Sequence, residues 1–313
     1  MDNHLLQGVR VVDLSQFLPG PYATHLMASL GATVLKVEPP GGDPMREILR
    51  QPEEQFSALY GMVNAGKKIL RLDLKCDAGK SALRQVLGNA DVLLDGYRPG
   101  VLGRLGFDSQ ALADINPGLI TCALSGYGQS GPYGQRAGHD INYCSVAGIH
   151  AHHKGVDSPG NLFPLLADHL GGMQAVMAIL AALVRKGKTG KGCTLDITLY
   201  ETLLTWQYAE QMPGFRSMLD GGSAYYNIYR SRDDRHYSLG AIEGKFWQGF
   251  CHMSGNPEWI SRYDDAIPQG DLMAEVRGWF AGKTSGELDR IFESADFCLE
   301  KVLLPDEVLA HSQ

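Results

Sequence analysis

Gly8-Val9-Arg10-Val11-Val12-Asp13-Leu14-Ser15, Pro19-Gly20-Pro21 and Leu30-Gly31-Ala32-Thr33-Val34-Leu35-Lys36-Val37-Glu38 decide the fold. The β-branched run at 9–14 reads as a strand. Pro19-Gly20-Pro21 opens a helix over 22–30, and Gly31 is its C-cap. Residues 33–38 form the next strand, ended by Pro39-Pro40-Gly41-Gly42. Outward from this unit the pattern repeats. Strands are predicted at 68–74, 91–94, 119–124 and 193–199, with helices at 77–87, 164–185 and 200–212. Strands alternating with helices predict an α/β fold with a mostly parallel sheet covered on both faces.

From Leu219-Asp220-Gly221-Gly222 the texture changes. Strands at 225–230 and 236–242 flank a turn at Asp233-Asp234, and helices follow at 245–253, 271–280 and 285–292. The chain therefore divides into a large domain at 1–200, a linking helical region at 201–218 and a smaller α+β domain at 219–300. Residues 301–313 begin a return to the large domain.

The 313 residues are 44% hydrophobic, enough for one large or two modest cores. A net charge of −7 argues against broad nucleic-acid or anionic-membrane binding. Met1-Asp2-Asn3-His4 has no signal-peptide character, so a cytoplasmic location is expected. The most apolar stretch, 173–184, is too short for a membrane span and reads as a buried helix. Six scattered cysteines without a CxxC pair predict reduced thiols and no zinc site.

Several motifs carry two readings. Gly126-Tyr127-Gly128-Gln129-Ser130-Gly131 fits G-x-G-x-x-G, but Pro132 and Gly134 prevent a helix from following, which favours a plain glycine loop. His139-Asp140 sits at a predicted helix start. It reads either as an acid/base beside free N–H groups or as an N-capping Asp140 next to an exposed His. Asp168 lies in the apolar run Leu165-Leu166-Ala167-Asp168-His169-Leu170-Gly171-Gly172. Desolvation there raises a carboxyl's proton affinity, unless the backbone amides of its own helix stabilise the charge. Glu243 ends an apolar strand. His150, His152 and His153 lack a carboxylate or Cys partner and read as a polar loop. Lys67, Lys68, Arg71 and Lys75 read as solvated strand flanks or a phosphate contact.

At Gly138-His139-Asp140-Ile141-Asn142-Tyr143 the sequence stops being generic. Together with the opening strand, Pro19-Gly20-Pro21, Leu72-Asp73-Leu74-Lys75, Tyr97-Arg98-Pro99-Gly100-Val101 and Asp220-Gly221-Gly222, it resembles the family III coenzyme A transferase superfamily. Within that superfamily it resembles the α-methylacyl-CoA racemases. The resemblance implies a Rossmann-like large domain, a small domain and an interlocked homodimer. It assigns acid/base roles to His139 and Asp168 on opposite faces of an acyl-CoA thioester. Glu243, from the neighbouring chain, orients His139, and the Asp140 backbone N–H faces the enolate oxygen. Leu72, Asp73, Leu74, Lys75, Arg98, Gly138, Ile141, Asn142 and Tyr143 line the coenzyme A and thioester pocket. Coenzyme A is part of the substrate, and no metal or redox cofactor is needed.

Three positions depart from the family pattern. Pro39 stands where many racemases carry a coenzyme-binding Arg, which leaves Lys36 or another basic group to do the job, or weakens binding. Lys301-Val302 replaces a Pro-Val pair. The chain stops at Gln313, so the return to the large domain is expected to be incomplete. The competing reading is a coenzyme A transferase in which Asp168 carries the acyl group covalently. On the family pattern such enzymes lack His139 and carry a glycine run in the small domain, which is absent after Gly222.

Overall fold

A computed structural model describes residues 4–152, 160–293 and 297–311. The chain forms two compact units, 1–206 and 207–313.

The first unit runs β1 (Arg10–Asp13), α1 (Pro19–Ser29), β2 (Thr33–Glu38), α2 (Ala58–Asn64), β3 (Lys68–Arg71), α3 (Asp77–Leu87) and β4 (Val92–Asp95). It continues with α4 (Val101–Arg104), α5 (Ser109–Ile115), β5 (Ile120–Ser125), α6 (Asp140–Val146), α7 (Ile149–His152), α8 (Leu166–Thr189), β6 (Cys193–Thr198) and α9 (Leu199–Thr205). The strands pair in the order β3-β2-β1-β4-β5-β6, every pair parallel. Alternate strand residues enter cores on opposite faces. Val11, Val34 and Val92 pack with Ala23 and Met27 of α1 and with Ala175 and Ile179 of α8. Val12, Val37 and Leu93 pack with Leu83 and Leu87 of α3 and Leu112 of α5.

Helix α8 is longer than expected. Lys186 and Lys188 extend it beyond Arg185, and Gly190, at φ 69°, stops it. By length and a mean hydropathy of 1.5 it is apolar enough to cross a membrane, which corrects the shorter reading of 173–184. Its place is against the sheet. Gly171 and Gly172 let it meet Leu199 and α1, since a Cβ on Gly172 would fall 2.7 Å from the Pro19 carbonyl oxygen. The predicted helix over 200–212 divides into α9 and a 3-10 turn, Gln207–Gln211.

The second unit contains α10 (Pro213–Ser217), β7 (Tyr226–Arg230), β8 (His236–Gly240), α11 (Gly244–Ser254), α12 (Gly270–Ala281), α13 (Ser285–Phe292), β9 (Leu299–Lys301) and α14 (Pro305–Val308). Strands β7 and β8 form an antiparallel hairpin with Tyr229 opposite Tyr237. Asp234, at φ 64°, makes the turn. Aromatic residues fill this core, including Tyr229 stacked on Phe280 with ring centroids 4.9 Å apart. The return to the first unit was expected to begin at 301–313, but Lys301 and Glu307 pair within the second unit. β9 adds to β8, and Arg235 grips Glu307 with bonds of 2.9 and 2.7 Å.

Candidate active site

The order of the first sheet has a topological switch between β1 and β4, where successive connections leave in opposite directions. Ligands of open α/β sheets bind beyond the carboxyl ends of the strands at such a point. A cavity of about 510 Å³ lies there, lined by Ser15, Gln16 and Phe17 after β1 and by Gly96, Tyr97 and Arg98 after β4. A neighbouring cavity of about 440 Å³ shares Gln16 and Tyr97 and extends past the ends of β2 and β3.

The first cavity collects His139, Asp168, Arg98, Gly138, Asn142 and Tyr143 from the predicted site. The second collects Leu72, Asp73, Leu74 and Lys75. Ile141 is 46% exposed on α6 and lies outside both linings. Asp140 is buried behind the wall rather than in it. Glu243 belongs to the second unit, where it is the N-cap residue of α11.

The loop 126–139 stays irregular, as Gly128 and Gly131 at φ 90° and 88° require. That irregularity removes the dinucleotide reading. Gly126 and Gly138 instead make room for the Tyr143 ring. A Cβ on either would approach it to 2.4 or 2.8 Å. The Tyr143 hydroxyl donates to the Gly138 carbonyl at 2.5 Å, holding the residue before His139. Gln135 Nε2 donates to the Pro99 carbonyl, tying this loop to the one that carries Arg98.

His139, not Asp140, is the N-cap residue of α6, and its backbone N–H donates to Asn142 Oδ1 at 3.0 Å. The imidazole is thereby left exposed beside the cavity. Asp140 caps a different helix. Asp168 is the third residue of α8, whose N-cap, Leu165, offers no side-chain acceptor. Asp140 Oδ1 takes the otherwise unsatisfied Asp168 N–H at 3.1 Å. This bond joins α6 to α8 and sets two carboxylates side by side. Burial, then the Asp140 charge, push the Asp168 carboxyl up to about 7. The alternative reading of Asp168, a charge held by backbone amides, does not describe this environment.

Two basic positions need correction. Lys36 is fully buried, bonded to the Ser15 carbonyl at 2.8 Å and paired with Asp43 at 3.0 Å, so it does not replace the missing Arg at Pro39. Lys67 is no solvated strand flank. It is buried against Asp13 at 3.2 Å, and burial brings its ammonium down to about 8. Burial would raise the Asp13 carboxyl, but Lys67, Lys36 and two hydroxyls outweigh it and hold the group at about 2. Lys75 is the basic side chain lining the second cavity. His150 Nδ1 lies 3.0 Å from the Gly160 carbonyl oxygen, while His153 falls outside the described residues. Among the described residues, no three His, Cys, Asp or Glu gather to hold a metal.

The sequence reading missed Ser15, Gln16, Phe17 and Tyr97 as lining residues. Their signal was positional, since each follows β1 or β4 at the switch point. It also missed Tyr127, whose ring meets Tyr143 edge-on at 5.1 Å and completes an aromatic wall.

This chain belongs to CoA-transferase family III, which matches residues 6–313. It is 34% identical to the α-methylacyl-CoA racemase of Homo sapiens, over 98% of this chain and 80% of that protein. It is 29% identical to the succinyl-CoA–D-citramalate CoA-transferase of Chloroflexus aurantiacus, over 97% and 80%. The crystal structure of Rv3272 from M. tuberculosis superposes with a TM-score of 0.86 at 28% identity, covering 98% of this chain and 86% of that one.

Proposed function

We propose that the chain is an acyl-CoA racemase that interconverts (R)- and (S)-2-methylacyl-CoA thioesters by 1,1-proton transfer through an enolate. The observation that carries this reading is that His139 and an Asp168 with proton affinity near neutrality line one cavity. One group removes the α-proton, and the C–H electron pair moves into the enolate. The other group then delivers a proton to the opposite face of the same carbon. A carboxyl near neutrality suits both directions, because it is available as acid and as base at pH 7, and an imidazole is the side chain most used for such proton transfers. The second cavity, with Lys75 and residues 72–74, takes the coenzyme A portion. The Asp140 backbone N–H serves the enolate oxygen. On the family pattern, Glu243 reaches His139 from the neighbouring chain of a homodimer. Coenzyme A enters and leaves as part of the substrate.

Incubation of one 2-methylacyl-CoA enantiomer in deuterated water tests the proposal. Deuterium is expected at the α-carbon, with loss of chirality and without an acceptor acid. Label appearing only when a second carboxylic acid is added would sink it.

The similarity to a named CoA-transferase supports a second reading, in which the Asp168 carboxylate attacks the thioester carbonyl, the C–S bond breaks to release the coenzyme A thiolate, and Asp168 holds the acyl group as an anhydride. An acyl adduct on Asp168, seen by intact-protein mass after hydroxylamine-free quenching, would favour that chemistry.

A further inference from the structure

Phe17 follows β1 with φ 62°, in the left-handed region that a bulky L-residue seldom occupies. Such a conformation persists only where its surroundings impose it, and it marks functional sites. Here the surroundings are a buried charge network. The Phe17 N–H faces Asp43 Oδ1 at 3.5 Å, and the same oxygen accepts the Met45 N–H at 2.9 Å. Asp43 pairs with Lys36, and Lys36 Nζ donates to the Ser15 carbonyl. Ser15 is bonded through its N–H and its hydroxyl to Asp13, which Lys67 neutralises. Two lysines with fully buried side chains therefore fix the segment Ser15 to Phe17 between β1 and α1. A buried ion pair is weak evidence for stability and is better understood as fixing one geometry. What this network fixes is Phe17, a residue 39% exposed in the cavity wall whose ring meets the His139 imidazole edge-on, with centroids 6.2 Å apart and planes at 83°.

We propose that Phe17 is a positioning residue for His139: its ring, aimed by the strained loop, confines the imidazole to the orientation in which it reaches the α-carbon. The inference rests on the acid/base reading of His139. It gives the Lys36–Asp43 pair a purpose other than coenzyme binding. Within its own chain His139 is exposed, so loss of the ring loosens an orientation that Glu243 of a neighbouring chain holds only at the other end, and misorientation of a catalytic group by about 1 Å lowers the rate by up to about 100-fold.

The test measures deuterium entry into each 2-methylacyl-CoA enantiomer separately. The enantiomer whose exchange His139→Ala abolishes defines the His139 face. Phe17→Ala is expected to lower kcat for that enantiomer by about 10- to 100-fold with little change in KM, and to leave the other enantiomer nearly unaffected. Phe17→Leu, which keeps bulk, should recover part of the loss. Equal loss for both enantiomers, or a change confined to KM, overturns the inference. The His139 ring protons, followed by NMR in the folded Phe17→Ala protein, should move as the ring current is removed. Unmoved resonances overturn the contact whatever the chemistry. If wild-type protein exchanges neither enantiomer while those resonances do move, the contact stands, but the catalytic reading of His139 and this inference with it are lost.

Discussion

Asp168 shows how one residue's environment sets its chemistry. Its carboxyl is half out of solvent, beside a second carboxylate that is itself held by the Asp168 N–H. Replacing Asp140 by Asn keeps an acceptor for that N–H and removes the charge. Asp140→Asn should therefore move the pH limb assigned to Asp168 from about 7 toward lower pH, with the rate at the optimum changed less than the midpoint. A pH–rate profile of each direction checks this. The linkage sign gives a second expectation. A carboxyl whose folded pKa is raised favours the folded state at low pH, and that contribution is lost as pH rises through the folded pKa. Asp168→Asn should thus gain stability over wild type between pH 4 and 7 and level off above. The gain should be roughly 1–2 kcal/mol, below the full linkage value because the side chain is partly exposed. Thermal melts across that range measure it. The sequence displayed Asp168 in an apolar run but not its partner. Asp140 lies 28 residues away, and only the packing of α6 on α8 brings it near. Phe17 was equally silent, since a φ angle imposed by Lys36 and Asp43 leaves no local signature.

At the scale of elements, the strands of the first unit were legible because Val, Ile and Leu runs are bounded by Gly, Pro and Asp. Strand β9 escaped because Leu299-Glu300-Lys301 is too short to show alternation. Helix α8 was ended early at Arg185, before the Gly/Lys-rich stretch 186–191; the helix tolerates Gly187, and Gly190 is the real stop. Close approaches also lie beyond local patterns. Gly79 lets α3 press on the turn at Asp73, and a Cβ there would sit 2.0 Å from the Asp73 carbonyl oxygen. That turn lines the second cavity. Gly79→Ala, normally helix-favouring, should here displace residues 72–75 and weaken coenzyme A binding by about 10-fold, with an overpacking cost of about 1–3 kcal/mol. Calorimetric titration with coenzyme A reads the first effect, and unchanged affinity would show that the turn takes no part in binding.

At the scale of the molecule, an alternation of strands and helices was enough to expect a parallel sheet. The strand order, and with it the switch point between β1 and β4, is a property of the assembled chain. That is why the motif at 138–143 was visible as sequence while the shared place of Gln16 and Tyr97 in the walls of both cavities was not. The proposed mechanism has His139 and Asp168 serve opposite faces of one carbon. Its most direct measurement is enantiomer-resolved deuterium exchange by His139→Ala and Asp168→Asn. Each variant should lose racemisation by at least about 100-fold yet still exchange one enantiomer, a different one in each case. Loss of the same enantiomer in both variants, or full racemisation in either, would contradict it.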